Sequence, residues 1–204
     1  MAYILGFFTA DGSMIRNKRG AHFIEFQITD KNLLYKIREI INSDHKISAR
    51  IRKFPWKVCY RLQIGSKEMF NDLLKLGLTS NKSKTIKLPH VPDEYFSHFI
   101  RGYFDGDGNV SVSNYIRADR NDKKSTTILS GFTSGSKQIL QSLHDKLKKI
   151  ANIFGGTLYY SNRGYRLYFS VKDSFKLYKF MYKEINNNLF LIRKKKIFER
   201  YFEI

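Results

Sequence analysis

This chain nearly repeats itself at half its length. Ile4-Leu5-Gly6-Phe7-Phe8-Thr9-Ala10-Asp11-Gly12 and Ile100-Arg101-Gly102-Tyr103-Phe104-Asp105-Gly106-Asp107-Gly108 are both apolar helical runs closed by Asp-Gly, and Asp11 and Asp107 lie 96 positions apart in 204. A duplicated half-domain follows, so the second half must fold as the first does. Folded about a pseudo-twofold axis, the two aspartates can meet, and such a carboxylate pair can hold a divalent metal against a phosphodiester. Small residues one turn apart, Gly6 with Ala10 and Gly102 with Gly106, give each helix a strip for close backbone approach. The strips are expected to pack on each other. Gly12 and Gly108 are expected in the left-handed conformation, ending each helix and aiming the aspartates outward.

One Asp-Gly is usually only a helix stop, but two at this spacing, each followed by a basic strand pair, need more than that. A calcium loop at Asp105-Gly106-Asp107-Gly108-Asn109 fails, because Val110 stands where its glycine is required and Ile116 where its glutamate is required. The segments flanking the small-residue strips are too polar for a membrane, and the apolar run from Ala2 to Ala10 is too short to span one. That run also lacks a signal peptide's basic start and cleavage site.

Charge narrows the partner. Lys and Arg number 37 against 18 Asp and Glu, a formal +19, which repels itself in the folded state and suits a polyanion, with nucleic acid first. The basic residues are spread over strands and helices rather than along one amphipathic helix, so a membrane surface is not expected. Cys59 is the single cysteine, which leaves no intrachain disulfide or cysteine zinc cluster and fits a reducing compartment. The expected location is the cytoplasm or an organellar matrix, not the secreted space. None of the five histidines has metal-site spacing.

Periodicity places the motifs. Ser13 to Thr29 reads as a hairpin turning at Asn17 to Gly20, with Ile24, Phe26 and Ile28 on one face and Phe23, Glu25 and Gln27 on the other. Asp30 is expected to cap a helix reaching Ile41, two strands follow over Lys46 to Arg52 and Lys57 to Ile64, and Ser66 caps a helix stopped at Gly77. Thr79 to Asp93, with Pro89 and Pro92, reads as a connection. Then the order restarts: a helix from Tyr95 to Asp105, strands over Val110 to Arg117 and Thr126 to Thr133, a helix from Ser136 to Phe154, and a hairpin over Thr157 to Val171. Helices over Asp173 to Ile185 and Leu191 to Phe202 close it. The expected fold is α+β, two pseudo-symmetric αββαββα halves over residues 1–92 and 93–204.

These residues resemble the LAGLIDADG homing endonucleases in their single-chain form with two motif copies, over nearly the whole chain. The resemblance implies antiparallel sheets forming a DNA-binding saddle and motif helices packed at the central interface. It implies metal binding by Asp11 and Asp107, with Gly12 and Gly108 beside them, and Mg²⁺ as the metal, Mn²⁺ as an alternative and Ca²⁺ as a non-cleaving substitute. An accessory polar residue matches Asp30 and Ser134, and an accessory lysine matches Lys82 and Lys194. Thr9 departs from the motif at its first acidic position, and Arg101 at a small apolar one.

The expected function is therefore a site-specific, monomeric double-strand DNA endonuclease cutting a long, non-palindromic site to leave short 3′ overhangs. In the first half Arg16, Lys18, Gln27, Lys46, Arg50, Arg52, Arg61 and Gln63 are expected to meet DNA. In the second these are Ser113, Tyr115, Arg117, Tyr159, Arg163 and Arg166. Arg and Gln can pair bidentately with guanine and adenine, so such a face carries sequence information as well as charge. The alternative is a non-cleaving DNA- or RNA-binding protein on the same fold, an intron maturase or a transcription regulator. An intein is not expected, since no Cys or Ser opening or His-Asn closing flanks the motifs.

Overall fold

A stretch that is apolar all round must be buried all round, as the first motif copy is, and the second is buried as well although it carries Arg101 and Asp105. The computed structural model describes Met1 to Ile204 apart from residues 52–54, 56, 81–83, 118–122 and 186–188, with Arg117 and Lys123 described by their main chain. Helix α1 (Ala2–Asp11) buries Tyr3, Ile4, Gly6, Phe7, Phe8 and Thr9, and α4 (Phe96–Asp107) buries Phe96 and every residue from Phe99 to Asp105. The helices pack directly on each other. Their contact is reciprocal: a β-carbon on Gly6 would fall 2.0 Å from the Phe99 carbonyl oxygen, and one on Gly102 would fall 2.0 Å from that of Tyr3.

Gly12 and Gly108 correct an expectation. Both are extended rather than left-handed, at φ −76° and −82°. Their reason for being glycine is space, since a β-carbon would lie 2.2 Å from the Phe8 ring at Gly12 and 2.4 Å from the Phe104 ring at Gly108. The motif phenylalanine folds back under the end of its own helix.

Each half then builds one antiparallel sheet. In the first, β1 (Ser13–Arg16), β2 (His22–Ile28), β3 (Ile47–Arg50) and β4 (Cys59–Gly65) lie in the order β1-β2-β4-β3. In the second, β5 (Gly108–Arg117), β6 (Lys123–Ser134), β7 (Thr157–Ser161) and β8 (Gly164–Phe169) lie in the matching order β5-β6-β8-β7. Strand side chains alternate between faces, so register decides what each face carries. On one side Phe26 lies opposite Leu62, and Phe132 opposite Leu167, all buried. This inner side meets the motif helices edge-on through aromatic rings, Phe8 with Phe26 at 5.2 Å and Phe104 with Phe132 at 5.6 Å.

The remaining helices are α2 (Lys31–Ile40), α3 (Lys67–Lys75), α5 (Lys137–Ala151), α6 (Val171–Tyr182) and α7 (Ile192–Phe202). The caps expected at Asp30 and Ser66 form, accepting from Leu33 N at 3.1 Å and Met69 N at 3.2 Å. Gly77 follows α3 with φ +84°, the left-handed stop. Several boundaries move. Helix α4 extends through Asp107, α5 ends earlier because Asn152 adopts φ 53°, and Val171 opens α6 instead of closing a strand. The hairpin of β7 and β8 turns at Asn162 and Arg163, both with positive φ, as a tight two-residue connection requires. No helix among the described residues is long and apolar enough to cross a membrane.

Candidate functional site

Where the motif helices end together, a cleft of about 480 Å³ opens, lined by Thr9, Ala10, Asp11, Tyr103, Asp107, Thr133, Ser134 and Arg166 among others. Both aspartates therefore share one cavity. Their closeness comes from the glycine strip: a β-carbon on Gly106 would sit 2.4 Å from that of Ala10 and 3.4 Å from Asp11 Oδ2. The Asp11 carboxylate thus rests against the main chain one residue before Asp107.

The cleft wall is polar and held. Thr133 Oγ1 donates to the Asp107 carbonyl at 3.0 Å, and Ser134 Oγ accepts from Ser136 N at 3.1 Å while hydrogen-bonded to Tyr103. Burial raises the Tyr103 phenol far above its ordinary pKa, and the charges of Asp107 and Asp11 raise it further, so it stays protonated. Ser134 accordingly lines the cleft. Asp30 does not, since its carboxylate caps α2.

Lys194 is drawn in beside the motif aspartates, whose charges act on its ammonium. It is 5% exposed and lies beneath the end of α4, where Nζ donates to the carbonyls of Phe104 (2.6 Å), Asp105 (2.9 Å) and Gly108 (2.7 Å). All three ammonium protons are thus committed to closing a helix C-terminus, which favours a cation. Burial lowers its pKa to about 8, against the opposing pull of Asp105. The Gly108 carbonyl faces this ammonium. Gly12 is buried, and its amide donates to the Phe8 carbonyl at 2.8 Å. Lys82 lies outside the described residues.

A metal fit rests on the donor set. Among the described residues no group of three or more His, Cys, Asp or Glu side chains gathers. Mg²⁺ does not require one, since it binds through one or two carboxylates together with water and substrate phosphates. Two aspartates in an open cleft fit that pattern.

Sequence reading missed a second polar cluster behind the cleft. Asp105, 1% exposed, accepts from the Tyr3 hydroxyl at 2.7 Å and Leu191 N at 2.9 Å. Arg101, 3% exposed, donates to the carbonyls of Met181 (2.7 Å) and Leu189 (3.0 Å) and contacts His98. The polar substitution noted in the second motif is thus an anchor, tying the connection between α6 and α7 onto α4.

The sheets' outer faces collect most of the remaining expected residues. Gln27 lies opposite Arg61, Ser48 opposite Arg61 on the other side, and Gln63 opposite Glu25. Arg50 shares that parity, and Lys46 precedes β3. Arg16 departs: it pairs with His22 and so takes the parity of Met14, at the exposed end of β1, while Lys18 lies in the turn beyond it. In the second sheet Ser113 and Tyr115 share the outer face with Thr127, and Tyr159 and Arg166 share it with Thr133. Arg163 occupies the hairpin turn. Arg52 lies outside the described residues, and Arg117 closes β5 by its main chain.

Comparison with known proteins agrees with this architecture. Residues 1–77 match the model of the LAGLIDADG-like domain. The uncharacterized protein MJ0398 of Methanocaldococcus jannaschii is 25% identical over 189 residues, 85% of this chain, which spans 62% of that protein's length. Among solved structures, the LAGLIDADG meganuclease I-AabMI bound to uncleaved DNA superposes with a TM-score of 0.65 at 15% identity, over 98% of this chain and 88% of that one. The I-LtrWI LAGLIDADG homing endonuclease bound to target DNA gives 0.64 at 15%, over 99% and 89%. A LAGLIDADG-like domain thus occupies the first 77 residues, and the meganuclease fold extends over nearly the whole chain.

Proposed function

We propose that this chain, with a LAGLIDADG-like domain in its first half and the meganuclease fold throughout, is a site-specific endonuclease acting on double-stranded DNA with Mg²⁺. The observation that carries this reading is the shared cleft, to which each half contributes one aspartate at the end of its motif helix. A protein that only binds a polyanion gains nothing from two carboxylates facing phosphates, which repel them. Both carboxylates come from one chain, so a monomer suffices.

Asp11 and Asp107 would hold the metal. When bound, Mg²⁺ supplies a Lewis acid that stabilises charge gathering on the phosphoryl oxygens. The chain's own groups do the rest. Arg166 at the cleft wall is suited to a bidentate grip on a phosphate. Tyr103, kept protonated by burial, and Ser134 act as hydrogen-bond donors and acceptors rather than as bases. The outer sheet faces would read a long site, and because the two halves carry different side chains there, that site would lack palindromic symmetry.

The test is a library of random duplexes incubated with Mg²⁺ and, separately, with Ca²⁺. New ends at one sequence with Mg²⁺, and retention of that sequence without ends in Ca²⁺, are expected. Selective retention without ends in either ion would instead identify a non-cleaving binder on the same fold.

A further inference from the structure

The outer face of the first sheet holds one carboxylate that no cationic surface needs. Glu25 projects from β2 to that side, yet is only 4% exposed. Its Oε2 accepts from Gln63 Nε2 at 3.2 Å and lies 3.6 Å from Arg61 Nη1, and its Oε1 accepts from Gln27 Nε2. Register makes the four side chains a compact quartet, Glu25 opposite Gln63 and Gln27 opposite Arg61 on the two central strands.

Facing phosphates directly, such a carboxylate would weaken binding to a polyanion. Its effect on its neighbours is different. A glutamine amide can point either way round, and a hydrogen bond from Nε2 to Glu25 fixes one orientation. Each amide keeps its carbonyl oxygen and one N–H for a ligand. That donor and acceptor pair matches adenine, which offers N7 and N6–H₂ in the major groove. Arg61 meanwhile has its charge partly answered before any ligand arrives.

The second half lacks this arrangement. Phe26 and Phe132 occupy equivalent places against Phe8 and Phe104, which sets Gly131 at the place of Glu25 and Arg166 at that of Arg61. A side chain at Gly131 would meet the Leu167 carbonyl at 2.1 Å, so no carboxylate can stand there.

We propose that Glu25 is a specificity-determining positioning residue: it holds Gln27 and Gln63 in the orientation that reads adenine in a major groove and withholds Arg61 from phosphate contact. This rests on the DNA-binding part of the reading above, and no arm of its test depends on cleavage.

The test selects bound duplexes from a random library in Ca²⁺ with the unaltered chain, Glu25→Ala, the Gln27→Ala/Gln63→Ala pair, and all three changes together. The unaltered chain is expected to prefer adenine within one short run of its site. Glu25→Ala should lose that preference by about tenfold while other positions hold. Its affinity for random duplex should stay or rise, with a salt dependence steeper by about one phosphate contact. The triple variant should select as the glutamine pair does, because Glu25 acts through those amides. A Glu25→Ala profile unchanged at every position, or a uniform loss of affinity, overturns the inference and leaves DNA binding standing. An unaltered chain that selects no sequence overturns both.

Discussion

Thr9 and Asp105 stand at equivalent positions of the two motif helices, two residues before the aspartates of the cleft. Thr9 satisfies itself locally, donating to the Leu5 carbonyl at 2.7 Å. Asp105 bridges Tyr3 and Leu191, and its Oδ1 is buried without a hydrogen-bond partner. Burial raises its pKa from 3.8 to about 6, against hydrogen bonding by Tyr3 and the charges of Lys194 and Arg101. Between those values the folded chain binds the proton more tightly than the unfolded chain. The resulting stability is present in full below 3.8 and lost as pH rises through about 6. At neutral pH the ionised carboxylate is therefore a burden. Asp105→Asn should raise the melting temperature at neutral pH, by up to about 3 kcal/mol of stability, and flatten the decline across that window. Melting temperature against pH for both proteins checks this. A variant less stable than the parent at neutral pH would contradict it. The acidic identity of residue 105 was legible in the motif, but its burial depends on a segment 86 residues away and was not.

Elements were legible where their signals are local. The caps at Asp30 and Ser66, the stop at Gly77 and the alternation in β2 and β4 follow from neighbouring residues, and the structure repeats them. Gly12 and Gly108 were legible as glycines but not in their reason, because a ring folding back from four residues earlier leaves no mark in a turn pattern. The small-residue strips read correctly. They make the helix pair intolerant of a single methyl: Gly6→Ala must part α1 from α4, since its β-carbon would lie 2.0 Å from the Phe99 carbonyl oxygen. The expected cost is about 3 kcal/mol, the range for overpacking a filled interior, or roughly a 10 °C fall in melting temperature for a chain of this size. Thermal unfolding measures it, and an unchanged melting temperature would contradict the close contact.

At the scale of the whole molecule, duplication did most of the work. Two motif copies at half-length spacing implied two matching halves, motif helices packed on each other and two aspartates in one place, and all three are present. The accessory candidates came from the resemblance, and their contacts, which join distant elements, were not legible. Lys194 lies in a basic run that reads as surface, yet it is buried under α4. The quartet around Glu25 joins residues 38 apart through strand register. Charge is arranged by the same logic, with cationic strands outside and two carboxylates where the halves meet. The most direct measurement is cleavage of the selected duplex in Mg²⁺ by Asp11→Asn and Asp107→Asn, alongside their affinity for it. Each variant should bind within a few-fold of the parent and make no double-strand break, whereas cutting at the parent's rate by either would contradict a shared two-aspartate site.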